Sequence, residues 1–158
     1  MDQPLDLNVG ANAMVVLPQG DADDGAGTSA GTRAAFQAWF HPNVAFTAAM
    51  TYVFVNEEEV YDAYDLTFYS IEAGVRYRGA PRPVRAFGEL LLGRHTIAVD
   101  GPGVDDAQSD LGLRLGGGVE LALGGTMSAV FQASYLSVEI ENADLEAFTL
   151  EAGLSFHL

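Results

Sequence analysis

Six charged residues recur where an alternating strand pattern would put them on one polar face, beside small residues such as glycine, serine and threonine. They are Glu72, Arg76, Glu89, Arg114, Glu120 and Glu151, and Arg33, Arg85 and Asp6 fall near the same face. Such groups can form a hydrogen-bonded ion-pair network, relay protons or ions, or supply the acid and base of glycoside hydrolysis. Because unpaired charges in a confined interior are costly, we predict the ion-pair network. The proton or ion path and the glycosidase-like carboxylate pair stay open as alternatives.

The three histidines offer little chemistry. The predicted strand order puts His41 and His157 at one end and His95 at the other, which excludes a three-histidine metal site. Ser155, His157 and Glu151 share one strand, but Glu151 and Ser155 are about 13 Å apart by strand rise. That spacing does not make a hydrolase triad. We therefore predict no catalytic residues, no metal, no cofactor and no enzymatic activity.

Acidic clusters are candidates for binding cations or a basic partner. They are Asp21, Asp23, Asp24, Glu57, Glu58, Glu59, Asp105 and Asp106. The first cluster has the composition of a calcium loop but lacks the ligand spacing of an EF-hand. An ordinary solvated loop is the alternative for each cluster.

Charge and hydrophobicity are segregated along the chain. The net charge is -15, with seven arginines, no lysine and no cysteine, yet 49% of the residues are apolar. Of the 22 acids, 16 lie in four short zones within residues 18–31, 56–65, 100–110 and 139–146. A strongly acidic chain is repelled by nucleic acid, which we exclude as a partner.

Eight segments alternate apolar and polar residues with the period of a β-strand. They cover residues 5–17, 33–41, 44–55, 66–78, 84–94, 111–123, 127–138 and 148–158. Long acidic connections follow the odd-numbered segments, and short turns at 41–43, 79–83 and 124–126 follow the even ones. This order predicts an up-and-down meander. Closure into an eight-stranded antiparallel barrel removes the two exposed edges that an open meander would have.

Three features place the apolar face against lipid. The polar face is built of small residues and isolated charges, which suit the narrow interior of an eight-stranded barrel. The apolar face is long enough to span a bilayer when tilted. Aromatic residues lie near strand ends, as in interfacial girdles: Phe40, Phe46, Phe54, Tyr77, Tyr135, Phe148 and Phe156. A soluble lipocalin-like ligand-binding barrel is the alternative.

The pattern resembles the small outer-membrane β-barrel family typified by the OmpA transmembrane domain and OmpX, over essentially all 158 residues. The terminal strand "LEAGLSFHL" is similar to the signal read by the barrel-insertion machinery. That signal normally ends on an aromatic residue, whereas here Leu154, Phe156 and Leu158 form the outward stripe and leucine is last.

The resemblance implies a transmembrane barrel of a Gram-negative outer membrane, predicted as one domain over residues 1–158 and as a monomer. Its expected partners are outer-membrane lipid, lipopolysaccharide, the insertion machinery and an envelope protein. "MDQPLDL" has the character of a mature start after removal of a secretion signal. Arg78, Arg82 and Arg85 cluster at the second turn, and we expect them to face the periplasm. We predict a structural or surface-interaction role, with a narrow channel as the alternative.

Overall fold

The computed structural model describes residues 5–19, 27–54, 65–80, 83–140 and 143–158. These ranges form eight strands: β1 (Asp6–Gln19), β2 (Ser29–His41), β3 (Val44–Phe54), β4 (Asp65–Arg78), β5 (Val84–Gly101), β6 (Val104–Gly124), β7 (Met127–Ile140) and β8 (Ala143–His157). A membrane-spanning helix, one both long and apolar enough, is not found in these ranges.

The strands close into an antiparallel barrel in chain order, with β1 paired to both β2 and β8. The pairing is staggered around the barrel. A ladder that starts at Asn8 on β1 and crosses every strand in turn returns to β1 at Pro18, ten residues further along. Such a stagger tilts the strands and fixes a lumen just wide enough for side chains to fill. The predicted fold is confirmed.

Neighbouring residues point to opposite sides of the wall. On β4, Ile71 is 62% exposed, whereas Glu72 beside it is 1% exposed. The same alternation exposes Met50, Leu92 and Leu115 on other strands. A mainly apolar exposed surface outside and buried polar residues inside are the arrangement of a barrel in lipid, because the outer wall meets hydrocarbon instead of water.

The predicted acidic loop at 100–110 is wrong. β5 and β6 continue as a hairpin that turns at Pro102 and Gly103, where Gly103 takes a φ of 83°. β4 pairs with β5 as far as Asp100, whereas β7 pairs with β6 only as far as Gly112. Asp105 and Asp106 therefore lie on β6, paired with Asp100 and Val99. The acids of this zone sit in an extended hairpin, whose backbone pairing is independent of how charged its side chains are.

The outer end of β6 has an open edge. β6 pairs with β7 only from Gly112 and Val138 onward. Within the described residues, no strand pairs with the β7-facing edge of β6 over 104–111. This stretch is called the open edge below.

The inside of the barrel changes character along its length. Towards the hairpin end, five buried apolar side chains pack into one cluster: Met14, Val53, Phe68, Leu136 and Val138. The opposite end, where β2–β3, β4–β5 and β6–β7 are joined by short connections, is called the turn end below. Towards the middle of the barrel and the turn end, the buried side chains are polar or charged, including Arg114, Glu72 and Asn8. The prediction of a polar interior holds below the apolar cluster but not at its level.

Lipid exposure of the outer wall predicts a depth-dependent cost for a charge. Leu115 lies outward in the middle of β6, between Leu90 and Tyr135, whereas Leu121 lies nearer the turn end. We expect Leu115→Arg to lower the free energy of unfolding by about 2–4 kcal/mol and Leu121→Arg by less, because the cost falls towards the interface. Denaturant titration in lipid vesicles measures both. Equal costs at the two positions would contradict this placement in the bilayer.

Candidate functional site

Glu89 on β5 is held inside the barrel by three side chains. Arg76 donates to its Oε2 through Nε at 3.1 Å and Nη2 at 2.7 Å. Arg33 Nη2 donates to Oε1 at 2.8 Å, and Gln132 Nε2 donates to the same oxygen. Neither the Arg33 nor the Glu89 side chain is accessible to solvent. Charge-assisted bonds of this kind are stronger than neutral ones, so they fix the position of the carboxylate.

The contacts continue across the lumen from Arg33. Its Nη1 donates to Glu151 Oε2 at 3.4 Å, and Asn12 Nδ2 donates to the same oxygen at 3.0 Å. Arg114 Nη1 lies 3.8 Å from the other oxygen of Glu151. Arg114 Nε donates to Glu72 Oε1 at 2.8 Å. Each carboxylate therefore has a cationic neighbour, and Glu89 and Glu151 have two each.

These contacts form one alternating series of three cations and three anions, called the lumen network below. In order, its members are Arg76, Glu89, Arg33, Glu151, Arg114 and Glu72. They come from β2, β4, β5, β6 and β8. The inward side chains of β3 are small, for example Ala49 and Thr51, which leaves lumen volume for the long arginines. The network is neutral as a whole and ties distant strands together.

Glu120 does not join this series. Its Oε1 lies 3.8 Å from Arg85 Nη2 and 3.8 Å from His157 Nε2, at the turn end of the barrel. The six-residue set predicted from the sequence thus separates into two groups. Since Arg33 takes the place of Glu120 in the lumen network, the charges there balance.

Arg78 also turns inward at this end. Its guanidinium lies 3.6 Å from the centre of the Trp39 ring, and its Nη2 lies 3.7 Å from Asp6 Oδ2. Arg78 is only 7% exposed, so the expectation that it faces the periplasm is wrong for its side chain. A cation on an indole face gains electrostatic attraction where water is scarce, which accounts for the inward orientation. Arg82 lies outside the described residues.

Inward glycines do not leave free space. A Cβ added at Gly116 would lie 2.8 Å from Gln132 Nε2 and 3.1 Å from Glu89 Cγ. At Gly112 it would lie 2.6 Å from His95 Cδ2. The volume beside these glycines is already occupied by the side chains of the interior. Water therefore has no free space beside Gly112 and Gly116.

The comparisons with known proteins agree with this architecture. The family model for the outer membrane protein beta-barrel domain matches residues 4–157. The chain belongs to this family. As a member of the outer membrane protein beta-barrel domain family, it is a protein of the bacterial outer membrane, which excludes the soluble lipocalin-like alternative.

Solved barrels of this kind share the fold at low sequence identity. Neisserial surface protein A is 20% identical with a TM-score of 0.77, covering 95% of this chain and 96% of that chain. Ail of Yersinia pestis is 19% identical with a TM-score of 0.56, covering 96% and 97%. The N-terminal barrel of OprF from Pseudomonas aeruginosa is 14% identical with a TM-score of 0.57, covering 94% and 97%. No curated protein sequence matches significantly.

The acidic candidates of this outer-membrane barrel are only partly described. Asp21, Asp23, Asp24, Glu57, Glu58 and Glu59 lie outside the described residues, as does the side chain of Asp105. Asp106 is exposed on the open edge of β6. Within the described residues, no group of three or more histidine or acidic side chains could hold a metal ion. Cation binding at these clusters stays a prediction.

The terminal stripe lies on the lipid side of the barrel. Leu154 and Phe156 are about 40% exposed, Leu158 is 76% exposed, and the Leu158 amide donates to the Leu7 carbonyl. Recognition of this stripe by the insertion machinery stays a prediction. On the inward side of the same strand, His157 lies near Glu120 instead of Glu151, so Ser155, His157 and Glu151 do not form a triad.

Arg33 is the functional residue that the sequence placed least well. The segment predicted for this strand began at Arg33 itself, whereas β2 begins at Ser29. An arginine at a strand end is ordinarily read as solvated, and only its parity with Gln37 and Trp39 marks it as inward. The near equality of interior cations and anions is a signal that would have included it.

Removal of one charge tests the lumen network. Glu89→Gln keeps the shape of the side chain but leaves Arg33 and Arg76, which are buried, short of an anion. We expect the free energy of unfolding to fall by roughly 3–5 kcal/mol, as for other broken buried pairs. Denaturant titration measures this change. The matched control is Glu139→Gln, which removes an exposed acid on β7. A Glu89→Gln barrel as stable as this control would show that the contacts of Glu89 with Arg33 and Arg76 do not stabilise the fold.

Proposed function

We propose that the protein is a surface-interaction barrel that presents its extended β5–β6 hairpin to a basic, extended segment of an envelope or external protein. The observation that carries this proposal is the open edge of β6 at 104–111. A strand with unpaired backbone groups is a template for the addition of another strand. The barrel acts as the rigid anchor, and we propose no enzymatic activity.

The charge of this end selects the partner. Asp100 and Asp106 are exposed on the hairpin, and Glu139 and Asp144 are exposed on the neighbouring β7 and β8. Long-range attraction would steer a lysine- or arginine-rich segment to this end and repel polyanions. Ail has been crystallised with the heparin analogue sucrose octasulfate, a polyanion. For the present chain, the acidic hairpin supports a positively charged partner instead of a polyanion.

The interior argues against the channel alternative. The lumen network crosses the barrel at its middle, and the cluster around Met14 and Phe68 packs above it. Passage of ions would require several buried charge pairs to separate at once, which costs several kcal/mol for each. The interior therefore supports an anchoring role.

The edge is tested with a synthetic peptide of alternating lysine and valine that matches the length of the open edge. We expect amide protection to rise at Val104–Leu111 when the peptide binds, because backbone hydrogen bonds form along this stretch. Asp106→Asn combined with Asp110→Asn should weaken binding, as should added salt. Asp100→Asn, on the paired β5 of the same hairpin, is the control and should change less. Binding without protection of 104–111 would contradict the proposal.

Electrical recording tests the alternative. We expect wild-type protein in a planar bilayer to give no sustained single-channel current, since the lumen holds fixed charge pairs and apolar side chains. The comparison is a bilayer with buffer alone. Regular conductance steps that depend on the protein would favour the narrow channel.

A further inference from the structure

A cavity of about 140 Å³ lies inside the barrel at the hairpin end, above the apolar cluster. Residues from several strands surround it, among them Val16, Val53, Phe68, Leu136, Leu145 and Ala147. The cavity is separate from the open edge of β6 as far as the described side chains show, since none of the residues 106–111 lines it. What it binds is thus a question apart from the proposed protein partner.

The described residues that line the cavity present only apolar surface to it. Among them Ser29 bears a hydroxyl group, and its Oγ donates to the Gly27 carbonyl at 3.1 Å. A water molecule against this wall would find no hydrogen-bond partner on it, whereas a buried water normally has two to four polar partners. The wall therefore disfavours water, ions and sugars alike.

We propose that this cavity is a binding site for a small, uncharged apolar molecule about the size of a single aromatic ring. An engineered protein cavity of about 150 Å³ with an aliphatic and aromatic lining stays dry and binds benzene or xenon. The present cavity matches that space in both volume and lining chemistry. The burial of apolar ligand surface supplies the binding free energy, at about 25 cal/mol per Å².

The cavity is closed on the side that faces the turn end. Met14, Val53 and Phe68 belong to the apolar cluster, and the charged side chains of Glu72 and Arg114 lie further along the lumen. Movement of an apolar molecule into the lumen network is unfavourable in free energy, because it would disrupt charge-assisted hydrogen bonds. The molecule enters and leaves at the hairpin end, so the site is suited to capture and not to passage through the membrane.

The test uses benzene as the probe and methyl-labelled protein in lipid nanodiscs. Benzene also dissolves in the bilayer, so the lipid-facing methyl groups of Leu150 and Leu154 report partitioning. We expect the methyl resonances of Val53, Leu136 and Leu145 to shift saturably, whereas those of Leu150 and Leu154 shift in proportion to the benzene added. Inward methyl groups that follow only the lipid-facing ones would overturn the proposal.

Two variants of the cavity wall and one outward-facing control locate the binding. Ala147→Phe fills the cavity and should abolish the saturable shifts, while Ala152→Phe, on the outer face of the same strand, should leave them unchanged. Val53→Thr keeps the side-chain shape but adds a hydroxyl to the wall, and we expect about tenfold weaker binding. Val53→Thr tests the site even where Ala147→Phe fails to fold. Saturable shifts that persist in a folded Ala147→Phe protein, or are unchanged by Val53→Thr, would overturn the assignment.

Discussion

Charge balance in a confined lumen is the constraint on which the rest of this barrel depends. Eight strands enclose a space that side chains fill, so a charge inside has little water to solvate it. In the lumen network, three cations and three anions alternate from Arg76 to Glu72, so each charge lies beside an opposite one. Since the members come from five strands, their pairing also fixes the relative positions of those strands. Small inward residues, such as Gly116, are required where these long side chains meet the wall.

The filled interior directs function to the hairpin end. A barrel whose middle is occupied by ion pairs can still recognise other molecules in two places. These are its outer surface and the part of the lumen between the lumen network and the hairpin end. The open edge of β6 provides backbone groups and negative charge for a protein partner. The apolar cavity lined by Val53 and Leu145 provides a separate space for a small molecule. The two proposals use different chemistry and stand or fall separately.

Much of the fold was predictable from the sequence because one physical rule governs it. Period-two alternation identified each strand and the lipid-facing side, as Ile71 and Glu72 illustrate. The β5–β6 hairpin was missed because acidic residues were read as a loop, although strand pairing tolerates exposed charges. The apolar cavity was missed because Val53 and Phe68 lie in mixed apolar runs, where alternation is weak. The partners of Arg33 and Glu120 depend on register and barrel stagger, which no local pattern encodes.

The most direct test of charge balance is a double-mutant cycle between Arg76→Gln and Glu72→Gln, the two ends of the lumen network, measured by reversible unfolding in detergent. Each single change leaves the lumen with a net charge, whereas the double change restores neutrality. If charge balance governs the lumen, the double variant loses less stability than the sum of the single variants, by more than roughly 0.5 kcal/mol. Additive losses, within roughly 0.3–0.5 kcal/mol, would show that the ion pairs are independent and that charge balance is not the constraint.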